Sequence, residues 1–218
     1  FYFLLFWEMM TLVSYFLVTF ENRRDSAVRA GYLYMLIAQA GGALIMLAIL
    51  LFFINTGSFE FAALRGAQIG TPLRSLIFLL TFVGFGAKAG MVPLHMWMPP
   101  AYEAAPPHAA ALMSTVMKKT AIYGILRFCV DLLGTSVLWW GLLVLLVGAV
   151  SAGLGALFAL SENRLRRVLA YSSIENVGII LVGLGGALLA QAGGGAAWGR
   201  LALAGALLPI VSAAVSVA

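Results

Sequence analysis

Apolar residues fill this chain in blocks about as long as a lipid bilayer is thick, separated by brief polar or charged interludes. A spanning helix needs about 20 predominantly apolar residues. Seven runs qualify: Phe1 to Phe20, Gly31 to Ile54, Leu73 to Met98, Pro107 to Leu133, Ser136 to Leu160, Val168 to Leu189 and Leu201 to Ala218. The connections, at Glu21 to Ala30, Asn55 to Pro72, Pro99 to Pro106, Ser161 to Arg167 and Gln191 to Arg200, leave no room for a separate soluble domain. This pattern predicts an all-α, polytopic transmembrane helix bundle with about seven helices, forming one transmembrane domain over residues 1–218. Phe1 starts inside one apolar run and Ala218 ends inside another, so the sequence reads as an excerpt of a longer protein.

Composition agrees with this reading: 63% of residues are hydrophobic and 10% charged, where soluble domains carry about a quarter charged. The net charge of +5 is spread over short clusters between apolar runs, with no basic face and no interleaved aromatics, so lipid headgroups explain it and nucleic acid does not. Arg23, Arg24, Arg29, Arg164, Arg166 and Arg167 flank two connections on one side, against Arg65, Arg74, Arg127 and Arg200 on the other. The positive-inside bias makes the first side cytoplasmic. The connection MWMPPAYEAAPPH falls on that side too, stiffened by four prolines. A single cysteine, Cys129, excludes an internal disulfide and an all-cysteine metal or iron–sulfur site. No cofactor is expected, and any redox chemistry belongs to a partner.

Ionisable residues inside the apolar runs are the candidates for function, because a lysine in hydrocarbon costs roughly 2.5–3.5 kcal/mol on insertion scales. Lys88 is the most conspicuous, with Glu8, Lys118, Lys119 and Glu175 in similar surroundings. At about 1.5 Å per residue, Glu8, Lys88, Lys119 and Glu175 lie roughly 20, 16, 18 and 12 Å from the cytoplasmic ends of their helices, near the middle of a core about 30 Å thick. Helical spacing places His108, Thr115 and Lys119 on one stripe, Glu8, Thr11, Tyr15 and Thr19 on another, and clusters Tyr171, Ser172 and Glu175. Polar lines leading to charges suggest hydrated paths. Lys118 is turned about 100° from Lys119, so Lys119 is assigned to the path and Lys118 to pairing or snorkelling. The plainer reading is structural ion pairing between helices; a coplanar series on four helices argues against it.

Other residues have simpler explanations. His95 is interfacial, and Trp97, Trp139 and Trp140 fit an aromatic belt. Gly84 to Gly90 resembles a phosphate loop only superficially, since no strand precedes it; its glycines serve close helix packing or local unwinding beside Lys88. The sequence contains no Ser-His-Asp set, paired-carboxylate hydrolase pattern or histidine metal spacing.

Residues 82–128, FVGFGAKAGMVPLHMWMPPAYEAAPPHAAALMSTVMKKTAIYGILRF, form a long signature of helix lysine, PLHxWxPxAxxxAP and KTxxYGxLRF. It resembles the antiporter-like proton-translocating subunits of respiratory complex I, Mrp-type cation/proton antiporters and membrane-bound hydrogenases. AYSSIENVG at Ala170 to Gly178 and the opening FWEMMTLVSYFLV are similar to the large membrane subunits of formate hydrogenlyase and energy-converting hydrogenases. The resemblance implies the fifth to eleventh helices of a fold of about fourteen, built from inverted repeats with a broken helix. Glu8 then matches the family's helix-five glutamate, Lys88 its helix-seven lysine and Lys119 the lysine of a broken eighth helix. Many hydrogenase-type relatives carry histidine where this chain has Gln39 and Ser172, neither of which titrates near neutral pH.

The function implied is proton translocation in the inner (cytoplasmic) membrane, along Glu8, Lys88, Lys119, His108, Thr115 and Glu175. Other membrane subunits and a peripheral redox module would be the partners. A sodium/proton antiporter subunit, a non-conducting structural anchor and a seven-helix receptor are the rival readings.

Overall fold

The computed structural model describes residues 2–21, 23–65, 69–134, 137–194, 199, 201–206 and 208. Among these residues every regular element is helical. The first two apolar runs form α1 (Tyr2–Val18) and α2 (Asp25–Thr56), and a short α3 (Phe61–Arg65) leads into α4 (Thr71–Ala89). After α4 come a 3₁₀ turn (Leu94–Trp97), α5 (Met98–Ala104) and α6 (Pro107–Leu112). A π-helical stretch (Met113–Met117), α7 (Lys118–Ile125) and a second π stretch (Leu126–Leu132) continue α6, and α8 (Leu138–Ser161) and α9 (Leu165–Ala192) follow. Of the seventh run, residues 201–206 and 208 are helical and the remainder lies outside the described residues.

Among the described residues, four helical stretches are long and apolar enough to cross a membrane: Asp25–Thr56, Thr71–Ala104, Leu138–Ser161 and Leu165–Ala192. Tyr2–Val18 is a shorter apolar helix. The chain is an all-α membrane bundle, as its hydropathy pattern predicts.

The third run departs from expectation. Helix α4 stops at Ala89, well before Met98, because Gly90 takes a left-handed conformation (φ 82°) and returns its N–H to Gly86 O at 2.9 Å. Pro93 follows, and proline resists continuation of a helix. The 3₁₀ turn and α5 complete the crossing after this break. The fourth run remains helical throughout, with no glycine or proline between His108 and Tyr123 to stop it. The broken helix is therefore the one bearing Lys88, and the Lys119 helix is locally rewound by its π stretches.

Tryptophans expected in an aromatic belt divide between two environments. Trp139 is exposed. Trp97 is buried and donates from Nε1 to Ala87 O at 2.9 Å, taking up a carbonyl that the end of α4 leaves free. Trp140 is buried as well, stacked on Phe78 with centroids 4.4 Å apart, its Nε1 3.3 Å from Ser75 Oγ. Indole N–H groups with partners inside the protein gain more from the core than from a headgroup layer.

Two apolar clusters fill the bundle. One gathers Trp7, Phe78, Phe82, Phe85, Phe128 and Trp140; the other gathers Tyr34, Trp97, Met98, Tyr102, Met113 and Met117. The ends of the molecule separate as the connections predict. Glu103 of α5 pairs with Arg164 and, at 2.7 Å, with Arg167, while Arg166 donates to Glu103 O at 3.0 Å. This joins the connection after α4 to that between α8 and α9. At the other end Asp131 accepts from Arg127 and, at 2.7 Å, from Arg65, whose guanidinium this hydrogen bond raises above its ordinary range.

Candidate functional site

The break after α4 determines where Lys88 sits. It is one residue from the end of α4 and midway along the Thr71–Ala104 crossing. Unpaired carbonyls at a helix C-terminus favour a nearby cation by about 0.3–1 kcal/mol. The side chain is 2% exposed and reaches α1, where Nζ donates a hydrogen bond to Thr11 Oγ1. Thr11 is fully buried and commits its own proton to Trp7 O at 3.0 Å, which leaves its lone pairs toward the ammonium. Lys88 Nζ also lies 4.7 Å from the centroid of the Trp7 ring.

Magnitudes show what these neutral partners achieve. A hydrogen bond to a charged group contributes about 1.5–3 kcal/mol, and a desolvated cation–π contact about 2 kcal/mol. Together they are comparable with the roughly 2.5–3.5 kcal/mol cost of placing a lysine at mid-membrane. The ammonium needs no carboxylate to remain where it is.

Glu8 lies on the same helix, one turn before Thr11, and is half-buried. Its Oε2 accepts from Gln39 Nε2 of α2 at 3.1 Å. Its Oε1 occupies the space a side chain at Gly42 would fill, since a Cβ there would come within 2.5 Å of it. Among the described residues no ion pair joins Glu8 to Lys88; the carboxylate acts on the lysine through its field. Glu8 and Lys88 are thus two neighbouring sites, each held by uncharged groups.

The predicted stripe on the fourth run is not maintained. His108 is exposed in the first turn of α6, Thr115 donates back to Ala111 O at 2.8 Å, and Lys119 is half-buried. Lys118 is the buried lysine, at 5% exposure, with Nζ 5.6 Å from the Tyr102 ring centroid. A π turn adds a residue of winding, which rotates everything beyond it by about 100°. This is the angle between neighbouring lysines, so the π stretch at Met113–Met117 is enough to exchange which of them faces inward. Lys118 neither snorkels nor forms an ion pair among the described residues.

Glu175 is half-buried on α9, and its carboxylate has no hydrogen bond or ion pair among the described residues. Its backbone packs closely on Gly155 of α8. Near it, Ser173 is buried and its Oγ is 3.5 Å from Ser114 Oγ. The structure therefore brings Glu8, Thr11 and Lys88 together, and leaves His108 and Glu175 apart from them. Sequence reasoning missed Trp7, Gly42, Tyr102 and Ser173. Trp7 and Gly42 had a readable signal, since Trp7 lies four residues before Thr11 and Gly42 three after Gln39, on the same helix faces.

Comparison with known proteins agrees with this architecture. The family model described as NADH:quinone oxidoreductase/Mrp antiporter, TM matches residues 1–199. Hydrogenase-4 component B of Escherichia coli is 51% identical over 191 residues, covering 87% of this chain and 28% of the relative. Formate hydrogenlyase subunit 3 of the same organism is 39% identical over 178 residues, covering 82% and 28%. In respiratory complex I from Thermus thermophilus with bound aureothin, one chain superposes with a TM-score of 0.71 at 30% identity, covering 98% of this chain and 45% of that one. The chain thus spans less than half the length of these relatives.

Proposed function

Because this chain belongs to the NADH:quinone oxidoreductase/Mrp antiporter transmembrane family, we propose that it carries protons within a redox-driven complex of the inner membrane. Relatives named as a hydrogenase component and a formate hydrogenlyase subunit support an assembly with other membrane subunits and a peripheral redox module. One observation carries the reading: Lys88 is buried at a helix break, midway across the bundle, and held by a hydroxyl and an aromatic face beside the separately seated Glu8. Such a lysine gains and loses a proton without an ion pair having to be pulled apart. Lys119, on the more open side of α7, passes the proton onward through water, and Glu175 lies further along on α9. His108 in α6 and Thr115 in the π stretch lie on the approach to α7.

The test is proton uptake by inverted membrane vesicles during turnover with formate or hydrogen, followed with a pH-sensitive dye. Lys88→Met abolishes uptake while the complex keeps its abundance on native gels. Uptake at the wild-type rate would overturn the proposal. The family also covers Mrp antiporters, and the same vesicles distinguish a sodium/proton exchanger: its uptake would vary with sodium at a fixed proton gradient, whereas direct proton conduction would not.

A further inference from the structure

Resting on the proton-conducting reading above, we infer that protons reach the lysine layer through Lys118, along a water-linked line of hydroxyls formed by Ser173, Ser114 and Tyr102. The groups come from separate elements and converge: Ser173 from α9, Ser114 from the π stretch, Tyr102 from α5 and Lys118 from the first turn of α7. Lys118 offers three donors, yet among the described residues its ammonium meets only the Tyr102 ring, 5.6 Å away. Tyr102 is 3% exposed, and its Oη is turned toward Ser114 and Ser173 but makes no hydrogen bond of normal geometry to either.

A buried lysine beside the Tyr102 ring and a buried hydroxyl turned toward the two serines, both without hydrogen-bond partners among the described residues, make a polar site of the kind a buried water satisfies. The serine oxygens, 3.5 Å apart, supply further partners. The line begins close to the end of the bundle. Tyr102 immediately precedes Glu103, whose carboxylate pairs with the partly exposed Arg164 and Arg167 at the end of the bundle. A purely structural buried lysine would be expected to meet a carboxylate, and none pairs with Lys118 among the described residues.

Transfer along this line balances without any further reactant. A proton delivered from solvent adds to a lone pair of one serine oxygen as that hydroxyl releases its own proton toward Tyr102 Oη. Tyr102 in turn releases its proton through water to the neutral amine of Lys118. The hydroxyls are regenerated, and one ammonium has formed.

The vesicle assay with the complete complex tests this through Tyr102→Phe, which keeps the ring over Lys118 and removes only the hydroxyl, and Lys118→Arg, which keeps the charge but cannot release it. Both lower the initial rate of uptake per redox turnover by about tenfold or more, with the complex at normal abundance. Lys118→His, which titrates, retains part of the rate. Wild-type uptake in either Tyr102→Phe or Lys118→Arg would overturn the inference. Should Lys118→Arg fail to assemble, Tyr102→Phe decides alone. If Lys88→Met abolishes uptake while these variants do not, only this inlet is wrong; if Lys88→Met also pumps, the underlying reading has failed.

Discussion

Replacing Thr11 by valine exchanges a hydroxyl for a methyl group at the Lys88 site and leaves the shape of the side chain nearly unchanged. Thr11 Oγ1 accepts from Lys88 Nζ and donates to Trp7 O, so the substitution deletes an acceptor facing a buried charge. The lost charge-assisted hydrogen bond corresponds to about 1.5–3 kcal/mol, borne only while Lys88 is protonated. If that state must be loaded in every cycle, the barrier to proton uptake rises by the same amount, a slowing of roughly 10- to 150-fold at about 1.4 kcal/mol per tenfold. The assay is dye-reported uptake in inverted vesicles, paired with thermal unfolding of the purified complex in the wild-type and Lys88→Met backgrounds. Thr11→Val is expected to destabilise the wild-type complex and to cost much less when Lys88 is already methionine, because the two side chains share one interaction. Equal destabilisation in both backgrounds would refute the reasoning: the hydroxyl would then serve only the Trp7 carbonyl.

Two further outcomes follow from the geometry. Gly42→Ala places a methyl group 2.5 Å from the present position of Glu8 Oε1, so the carboxylate that Gln39 holds through Oε2 must shift from its seat. Little stability is lost, because only the tip of a flexible side chain moves and alanine is favoured over glycine inside a helix by about 1 kcal/mol, but uptake falls toward that of Glu8→Gln; wild-type uptake would contradict the seat. Glu103→Gln removes the shared partner of Arg164 and Arg167 in a partly exposed cluster. It lowers the stability of the purified complex by about 1 kcal/mol or less, and the difference shrinks as salt is raised; a difference indifferent to salt would show that the cluster holds α5 by packing instead.

Hydropathy alone located most of the crossings, because a bilayer imposes one length and one solvent on every spanning segment. The details it missed share a physical cause. The apolar run through Leu73 to Met98 is continuous in hydrophobicity, but the backbone turns at Gly90, and hydropathy is blind to φ. Trp97 looked interfacial because it stood near a predicted helix end; the actual end is at Ala89, and its indole closes that end from within. That Lys118 is the more deeply buried of the two lysines was not legible, for a subtler reason. Lys118 shares a helix face with Ile122 and Ile125, and Lys119 shares one with Tyr123 and Leu126, so both faces are apolar and periodicity does not rank them. The π stretch decides the matter, and no residue in MSTVM announces it. Glu8 and Lys88 were legible because isolated charges in apolar runs need no geometry to be noticed.

The absence of a direct bond between Glu8 and Lys88, among the described residues, bears on how such a site would switch. Breaking a buried ion pair costs about 3–5 kcal/mol when one partner is left uncompensated, a large toll on every cycle. Here the ammonium rests on Thr11 and Trp7, and the carboxylate on Gln39 and the backbone gap at Gly42. Each charge keeps its own neutral support whichever state the other is in. On the proton-conducting reading, Gln39 then has a role that a titrating histidine would perform less steadily. Its amide donates to Glu8 Oε2 without itself titrating, which holds the Glu8 side chain in place while Lys88 changes state. On that reading Lys88 conducts without Gln39 ever carrying the proton, and Gln39→Leu, which frees the carboxylate to move, lowers uptake in the vesicle assay by more than the loss of one hydrogen bond suggests; uptake at the wild-type rate would refute this.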